Sequence, residues 1–137
     1  MIPSLSIVIP AYNEERRLAA SLERICEYLA REAPLFAEIL VVDDGSRDRT
    51  AETAARYPGV RVLANPGNRG KGYSVRHGML EARGEWALFT DADLSTPITE
   101  IEKAFRHFAS GADVVIGSRA LPESDVQVRQ NFIRETM

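Results

Sequence analysis

Asp91 and Asp93 flank one small residue, Ala92, directly after the apolar run WALFT. In extended backbone, residues two apart project to the same side, so both carboxylates can approach one point. Two carboxylates suit a hard divalent cation, Mg²⁺ or Mn²⁺, with phosphate oxygens and waters completing the shell. Acids also open loops and cap helices, so this spacing alone does not separate a metal site from a loop start. A second acidic pair, Asp43 and Asp44, precedes Gly45 and suits either a turn or hydrogen bonds to a base or ribose. Tyr12, just past the end of another apolar run, is placed to stack on a base.

The loop NPGNRGKG carries one of only two lysines, Lys71 and Lys103, in a chain with fifteen arginines. It is not a Walker A loop, because Gly72 follows Lys71 where Ser or Thr is needed. It is not a dinucleotide fingerprint either, because Val75 stands at the third glycine position. It can still offer backbone amides and the charge of Lys71 or Arg69 to a diphosphate at a helix start, or be a surface turn. His77 and His107 fall within expected helices, His77 the nearer to these groups. Cys26 shares an apolar helical stripe with Leu18, Leu22, Ile25 and Leu29, which makes it a packing residue rather than a nucleophile.

These groups need a frame. Leu5–Pro10, Glu38–Val42, Val60–Ala64, Trp86–Thr90 and Asp113–Gly117 are short apolar runs that predict strands buried in a parallel sheet. Helices are predicted between them: from an Asn13 cap to about Arg31, from about Arg49 to Arg56 behind an Asp48 cap, and from about Gly72 to Ala82. A fourth helix starts at Thr96 as cap with Pro97 first, and runs to about Ser110 before Gly111. The alternation predicts an α/β fold: three layers, α/β/α, around a mostly parallel, doubly wound sheet. In such sheets ligands bind outside the carboxyl ends of the strands. PAYNE (Pro10–Glu14), DDGS (Asp43–Ser46) and TDAD (Thr90–Asp93) all fall at that edge.

The 137 residues fit one domain, and 45% apolar content suits a globular core. A net charge of −3 argues against nucleic acid as a partner. No stretch approaches the ~20 apolar residues of a membrane span. The N-terminus reads as a strand and not a signal peptide, so the expected location is cytoplasmic, peripheral at the cytoplasmic membrane face.

IVIPAYNEE, VVDDGSRDRT, NRGKG, FTDADLSTP and VIGSR, in this order, closely resemble family-two glycosyltransferases of the GT-A fold. The likeness is greatest to enzymes that move a sugar onto a polyprenyl phosphate such as dolichyl phosphate. The resemblance implies that Pro10, Ala11, Tyr12 and Glu14 contact the nucleoside, with Asp43 or Asp44 at the base or ribose. It implies that Lys71, Ala92, Asp91 and Asp93 lie at the diphosphate, the two aspartates holding the metal. Arg119, in VIGSR, would face the phosphates or the donor sugar, and so count with Asp91 and Asp93 as catalytic. DADLSTP resembles the glucosyl-transferring branch, which favours UDP-glucose over GDP-mannose.

Family members usually continue further. Residues 1–119 would then form the nucleotide-sugar subdomain, incomplete at its C-terminal end, and 120–137 a tail toward an acceptor-binding region. In the family fold an antiparallel strand sits between the fourth and fifth strands. Its absence would expose strand edges, to be covered by a second copy of the chain or by the C-terminal tail. Two competing readings are a sugar nucleotidyltransferase and a nucleotide-binding module without turnover. The first would carry a glycine-rich basic motif after strand one, where PAYNEE supplies acids.

Overall fold

The computed structural model describes residues 3–117. They form two units, the first ending at Ile101 and the second beginning at Glu102. The first holds β1 (Leu5–Ala11), α1 (Glu15–Glu32), β2 (Ala37–Asp43), α2 (Thr50–Ala55), β3 (Val60–Ala64), α3 (Lys71–Glu81) and β4 (Trp86–Phe89). A 3₁₀ turn, Ile98–Glu100, follows.

The four strands are all parallel, in the order β3-β2-β1-β4. The chain moves outward from β1 through β2 to β3, then crosses back to place β4 on the other side of β1. Strand order therefore reverses between β1 and β4, the point where such sheets open a crevice. Right-handed crossovers put α1 and α2 on one face and α3 on the other.

The strand pleat sorts the core. Val8, Leu40 and Val42 are fully buried, with Leu63, Met79 and Ala82 against them on the α3 side. On the opposite pleat Leu5, Ile7, Ile9, Ile39 and Val41 are buried, as are Leu18, Leu22 and Ile25 of α1. Each fully buried Leu or Ile contributes about 1.5–3 kcal/mol, so this double-faced burial dominates the weak intrinsic preferences of such short strands. Gly78 lets α3 lie close: a Cβ there would sit 2.3 Å from Val8 Cγ1. Pro10 is tolerated in a central strand because it lies two residues past the last β1–β4 pair, Val8 with Phe89. Its missing N–H therefore costs no rung.

Two expected helix starts change. Asn13 does not cap α1; its φ is 52°, and Glu14 occupies the cap position without a side-chain cap bond. Instead Thr50 Oγ1 accepts the Glu14 N–H at 2.8 Å and Asp48 Oδ2 accepts the Glu15 N–H at 3.3 Å. In return Glu15 Oε2 accepts the Arg49 N–H at 3.1 Å, while Asp48 Oδ1 accepts that of Thr50 as expected. The starts of α1 and α2 thus cap each other. Thr96 is not a cap either, because Pro97 is extended (ψ 141°) and its carbonyl closes the 3₁₀ turn by accepting the Glu100 N–H.

Helix α4 (Ile101–Ala109) starts on the last residue of the first unit and continues into the second, and Gly111, just beyond its end, has a φ of 103° that lets the chain turn away. The expected fifth strand, Asp113–Gly117, is not formed. These residues pair with no strand among the described residues, and Val114 and Ile116 are largely exposed. β-propensity needs a partner ladder and a covered face to act, and the described residues supply neither there. The expected division at residues 119 and 120 lies outside the described residues.

Candidate functional site

A cleft of 310 Å³ opens at the carboxyl ends of β1 and β4. It is lined by Pro10, Ala11, Tyr12 and Glu14 from the β1 end, Asp44 from the β2 end, Lys71 and Ser74 from α3, and Asp91, Ala92 and Asp93 after β4. Of the residues expected at the site, Asp43 does not line it; its Oδ1 accepts the Ser46 N–H at 3.2 Å and shapes the following turn. Arg119 lies outside the described residues. A larger apolar groove of 440 Å³ lies at the other end of the strands, lined by Cys26, Leu29, Pro34 and Ile39 among others. Burial pushes the Cys26 thiol up, which suits packing and opposes nucleophilic use.

The acidic pair after β4 does not continue the strand as expected. Residues 92–93 form a turn: the Leu94 N–H bonds the Asp91 carbonyl at 3.0 Å, and Leu94 has a φ of 46°. The turn, rather than strand pleat, brings both carboxylates to the cleft. The buried Leu94 side chain holds it down from one side. From the other, Ser21 Oγ of α1 donates to the Ala92 carbonyl at 2.6 Å. Asp93 Oδ1 also accepts the Ser95 N–H at 3.0 Å.

Each acid faces a cation of the chain itself. Lys71 Nζ lies 2.5 Å from Asp91 Oδ1, and Arg17 Nη1 lies 3.8 Å from Asp93 Oδ2. Arg17 also forks onto Glu14 through two bonds of 2.8 Å, which occupies the Glu14 carboxylate at the cleft rim.

Asp44 is buried and already saturated with donors. It accepts from the Arg69 N–H at 2.7 Å, the Gly70 N–H at 2.9 Å and Asn65 Nδ2 at 2.8 Å. Burial, the largest single influence, pushes its pKa upward, but Arg69, Asn65, Gly70 and Ser74 together hold it below the ordinary carboxylate value. The carboxylate thus anchors the NPGNRGKG loop and sets the start of α3, where Lys71 stands. Gly45 is needed beside it: its φ is 75°, and a Cβ would lie 2.7 Å from Gly67 C.

Asn65 and Ser74 are the contributors that the sequence does not single out. Asn65 donates to both Asp44 and Ser74 Oγ, and its Oδ1 meets His77 Nδ1 at 2.7 Å. An asparagine at a strand end beside a helical Ser and His carried no local signal of this network. His77 is thereby tied to the loop anchor, and Tyr73 packs edge-on to it. Tyr12 remains substantially exposed at the cleft, its ring free to meet a planar ligand.

Among the described residues no group of three His, Cys, Asp or Glu side chains could hold a metal. Asp91 and Asp93 alone offer two carboxylates, which fits a hard cation that takes its other ligands from phosphate and water. The residues present therefore fit a Mg²⁺ or Mn²⁺ diphosphate better than a closed protein site.

A family model described as Glycosyl transferase family 2 matches residues 6–135. The chain is 40% identical to a dolichyl-phosphate beta-glucosyltransferase of Trichomonas vaginalis over 97% of its own length and 45% of that protein. It is 35% identical to the dolichyl-phosphate beta-glucosyltransferase of Homo sapiens, over 95% of this chain and 45% of that one. The chain thus spans under half the length of the curated relatives it matches. Among solved structures, a mannosyltransferase of Pyrobaculum calidifontis in complex with GDP-Man and Mn²⁺ is similar with a TM-score of 0.59. It is 28% identical over 68% of this chain and 28% of that one. A glucosyl-3-phosphoglycerate synthase of Mycobacterium tuberculosis in complex with Mn²⁺, UDP and phosphoglyceric acid has a TM-score of 0.55 at 28% identity, over 66% of this chain and 33% of that one.

Proposed function

Since the chain belongs to glycosyl transferase family 2, with the parallel sheet of the GT-A fold, we propose that it forms the donor-binding part of a hexosyltransferase. The donor is a nucleoside-diphosphate sugar, UDP-glucose before GDP-mannose, and the acceptor a polyprenyl phosphate such as dolichyl phosphate. The observation that carries this reading is the convergence of Asp91 and Asp93 with Tyr12 and Lys71 in one cleft at the β1–β4 switch point.

In this reading Tyr12 stacks on the base, and Pro10, Ala11 and Glu14 line the nucleoside. Asp44 acts mainly by holding the loop that carries Lys71, and Asp43 by shaping the turn beside it. Asp91 and Asp93 would hold Mg²⁺ or Mn²⁺, with Ala92 small enough to let the diphosphate approach. When bound, the cation supplies a Lewis acid that neutralises charge on the departing nucleoside diphosphate. The acceptor phosphate oxygen attacks the anomeric carbon from the face opposite the diphosphate. The new C–O bond forms as the bond to the diphosphate breaks, with inversion. A lipid phosphate is already ionised at neutral pH, so the chain need not provide a base to deprotonate it. Arg119 is assigned to the phosphates or the donor sugar by resemblance alone.

No helix among the described residues is long and apolar enough to cross a membrane. A peripheral position at the cytoplasmic face fits a lipid acceptor. Association of copies through the outer edges of β3 and β4 fits strands that have no described neighbour there.

Calorimetric titration of UDP-glucose and GDP-mannose, in Mn²⁺ and then in EDTA, tests the reading. Metal-dependent binding of UDP-glucose, lost in Asp91→Asn and Asp93→Asn, is the expected result. A folded chain that binds neither donor would sink it.

A further inference from the structure

The two carboxylates best suited to a divalent cation are each already faced by a positive side chain. The closer pair, Lys71 with Asp91 at 2.5 Å, joins the first residue of α3 to the turn after β4. Lys71 does not reach Asp91 by accident of a floppy loop. Its backbone position is fixed by the Gly70 and Arg69 amides on Asp44, and Asp91 is fixed by the Ser21–Ala92 bond. Both partners are nonetheless about half exposed, at 59% and 45%, so the pair is held in water and its contact is weak.

We infer that Lys71 is a placeholder for the cation: it occupies Asp91 until a diphosphate gives it somewhere else to go. The inference rests on the donor-site reading above. While Lys71 sits on Asp91, an incoming cation must displace an ammonium and then remain beside it. A diphosphate in the cleft changes the balance. Its oxygens take the Lys71 ammonium, and Asp91 is released to the cation. One side chain therefore opposes the metal in the empty cleft and favours the diphosphate in the loaded one. By linkage, metal and nucleotide then each tighten the other, and part of that coupling passes through Lys71. Arg17 at 3.8 Å from Asp93 adds to the repulsion, but its fork onto Glu14 gives it a resting place either way.

The placeholder predicts effects of opposite sign from one substitution, which a residue that only binds phosphate does not give. Mn²⁺ binding is read from the electron-spin signal of the free ion, with and without UDP, for wild type, Lys71→Met, Lys71→Arg and Asp91→Asn. Without UDP, Lys71→Met binds Mn²⁺ roughly two- to five-fold tighter than wild type, the range expected of an exposed pair, and Lys71→Arg binds it no tighter. At saturating Mn²⁺ the same Lys71→Met variant binds UDP several-fold more weakly. Lys71→Met binding Mn²⁺ no tighter than wild type without UDP would overturn the placeholder while leaving the donor site standing. Wild type that takes up no Mn²⁺ even with UDP, or uptake indifferent to Asp91→Asn, would overturn the donor-site reading and the placeholder with it. Lys71 is too exposed for its loss to unfold the chain, and matching melting curves verify that.

Discussion

Ser21 and Ala92, seventy-one residues apart, are joined by a buried hydrogen bond of 2.6 Å that ties the middle of α1 to the small residue between Asp91 and Asp93. The bond converts a helix packed on the sheet into a support for the turn that presents both acids. Ser21→Ala leaves the Ala92 carbonyl buried and unpaired, and should cost about 1–3 kcal/mol of stability in urea denaturation. It should also weaken Mn²⁺-dependent UDP binding, although Ser21 does not line the cleft. Unchanged UDP affinity in a destabilised variant would mean that the turn keeps its shape without α1.

Asp44→Asn tests the anchor of the NPGNRGKG loop. Whichever oxygen becomes the amide nitrogen, a donor then faces a donor, either the Gly70 N–H at Oδ2 or the Arg69 N–H and Asn65 Nδ2 at Oδ1, a loss of about 2 kcal/mol. UDP affinity should fall with it, because Lys71 and Ser74 follow that loop. Native UDP affinity in Asp44→Asn would separate the loop from the site.

Acid stability follows from two carboxylates at opposite ends of the sheet. Burial pushes Glu38 upward most strongly, but Ser6, the Arg83 N–H and Arg61 together hold its pKa below the ordinary value. Asp44 is lowered in the same sense. Unfolded carboxylates titrate near ~4, so at that pH the unfolded chain binds more protons than the folded one. The stability these two groups supply is therefore complete above that range and is lost as pH falls through their lower folded values. Urea midpoints measured from pH 7 downward should drop less steeply in Glu38→Gln and in Asp44→Asn than in wild type. Parallel curves for all three proteins would remove these groups from the account.

Gly78→Ala sets helix propensity against packing. Alanine gains up to about 1 kcal/mol over glycine within a helix. The added Cβ, however, meets Val8 Cγ1 at 2.3 Å and Val42 Cγ2 at 3.1 Å, both fully buried. Overpacking of this kind costs about 1–3 kcal/mol, so the variant should melt below wild type. A higher melting temperature would show that α3 can lift from the sheet freely.

Tyr12→Ala should weaken UDP binding by about ten-fold, within the ~1–3 kcal/mol of base–aromatic stacking, without lowering the melting temperature. Equal UDP affinity would remove Tyr12 from the base.

Much of this was legible in the chain. Parallel buried strands announce themselves as apolar runs, and their carboxyl ends mark the crevice, so the sequence alone places PAYNE, Asp44 and the Asp91–Asp93 pair at one edge. What was not legible depends on residues far apart in sequence. Asn13 has the right side chain for a cap, but its carbonyl oxygen Oδ1 is taken by the Arg47 N–H, thirty-four residues away. Asn65 reads as a loop residue until the end of β3 is brought against Ser74 and His77. Asp113–Gly117 has the composition of a strand, but composition does not provide the neighbour that a strand requires.

The mutual capping of α1 and α2 has a consequence for how the fold checks itself. The Glu14 and Glu15 amides are held by Thr50 and Asp48, and these bonds exist only when β1 and β2 run in the register that pairs Ala11 with Asp43. A slip of one residue would move the two helix starts apart by a strand rise, ~3.3 Å, and strand both sets of amides. The caps thus act as a proofreading clasp on sheet alignment. In hydrogen exchange, Glu14 and Glu15 should report global unfolding rather than the fraying ordinary at a helix start.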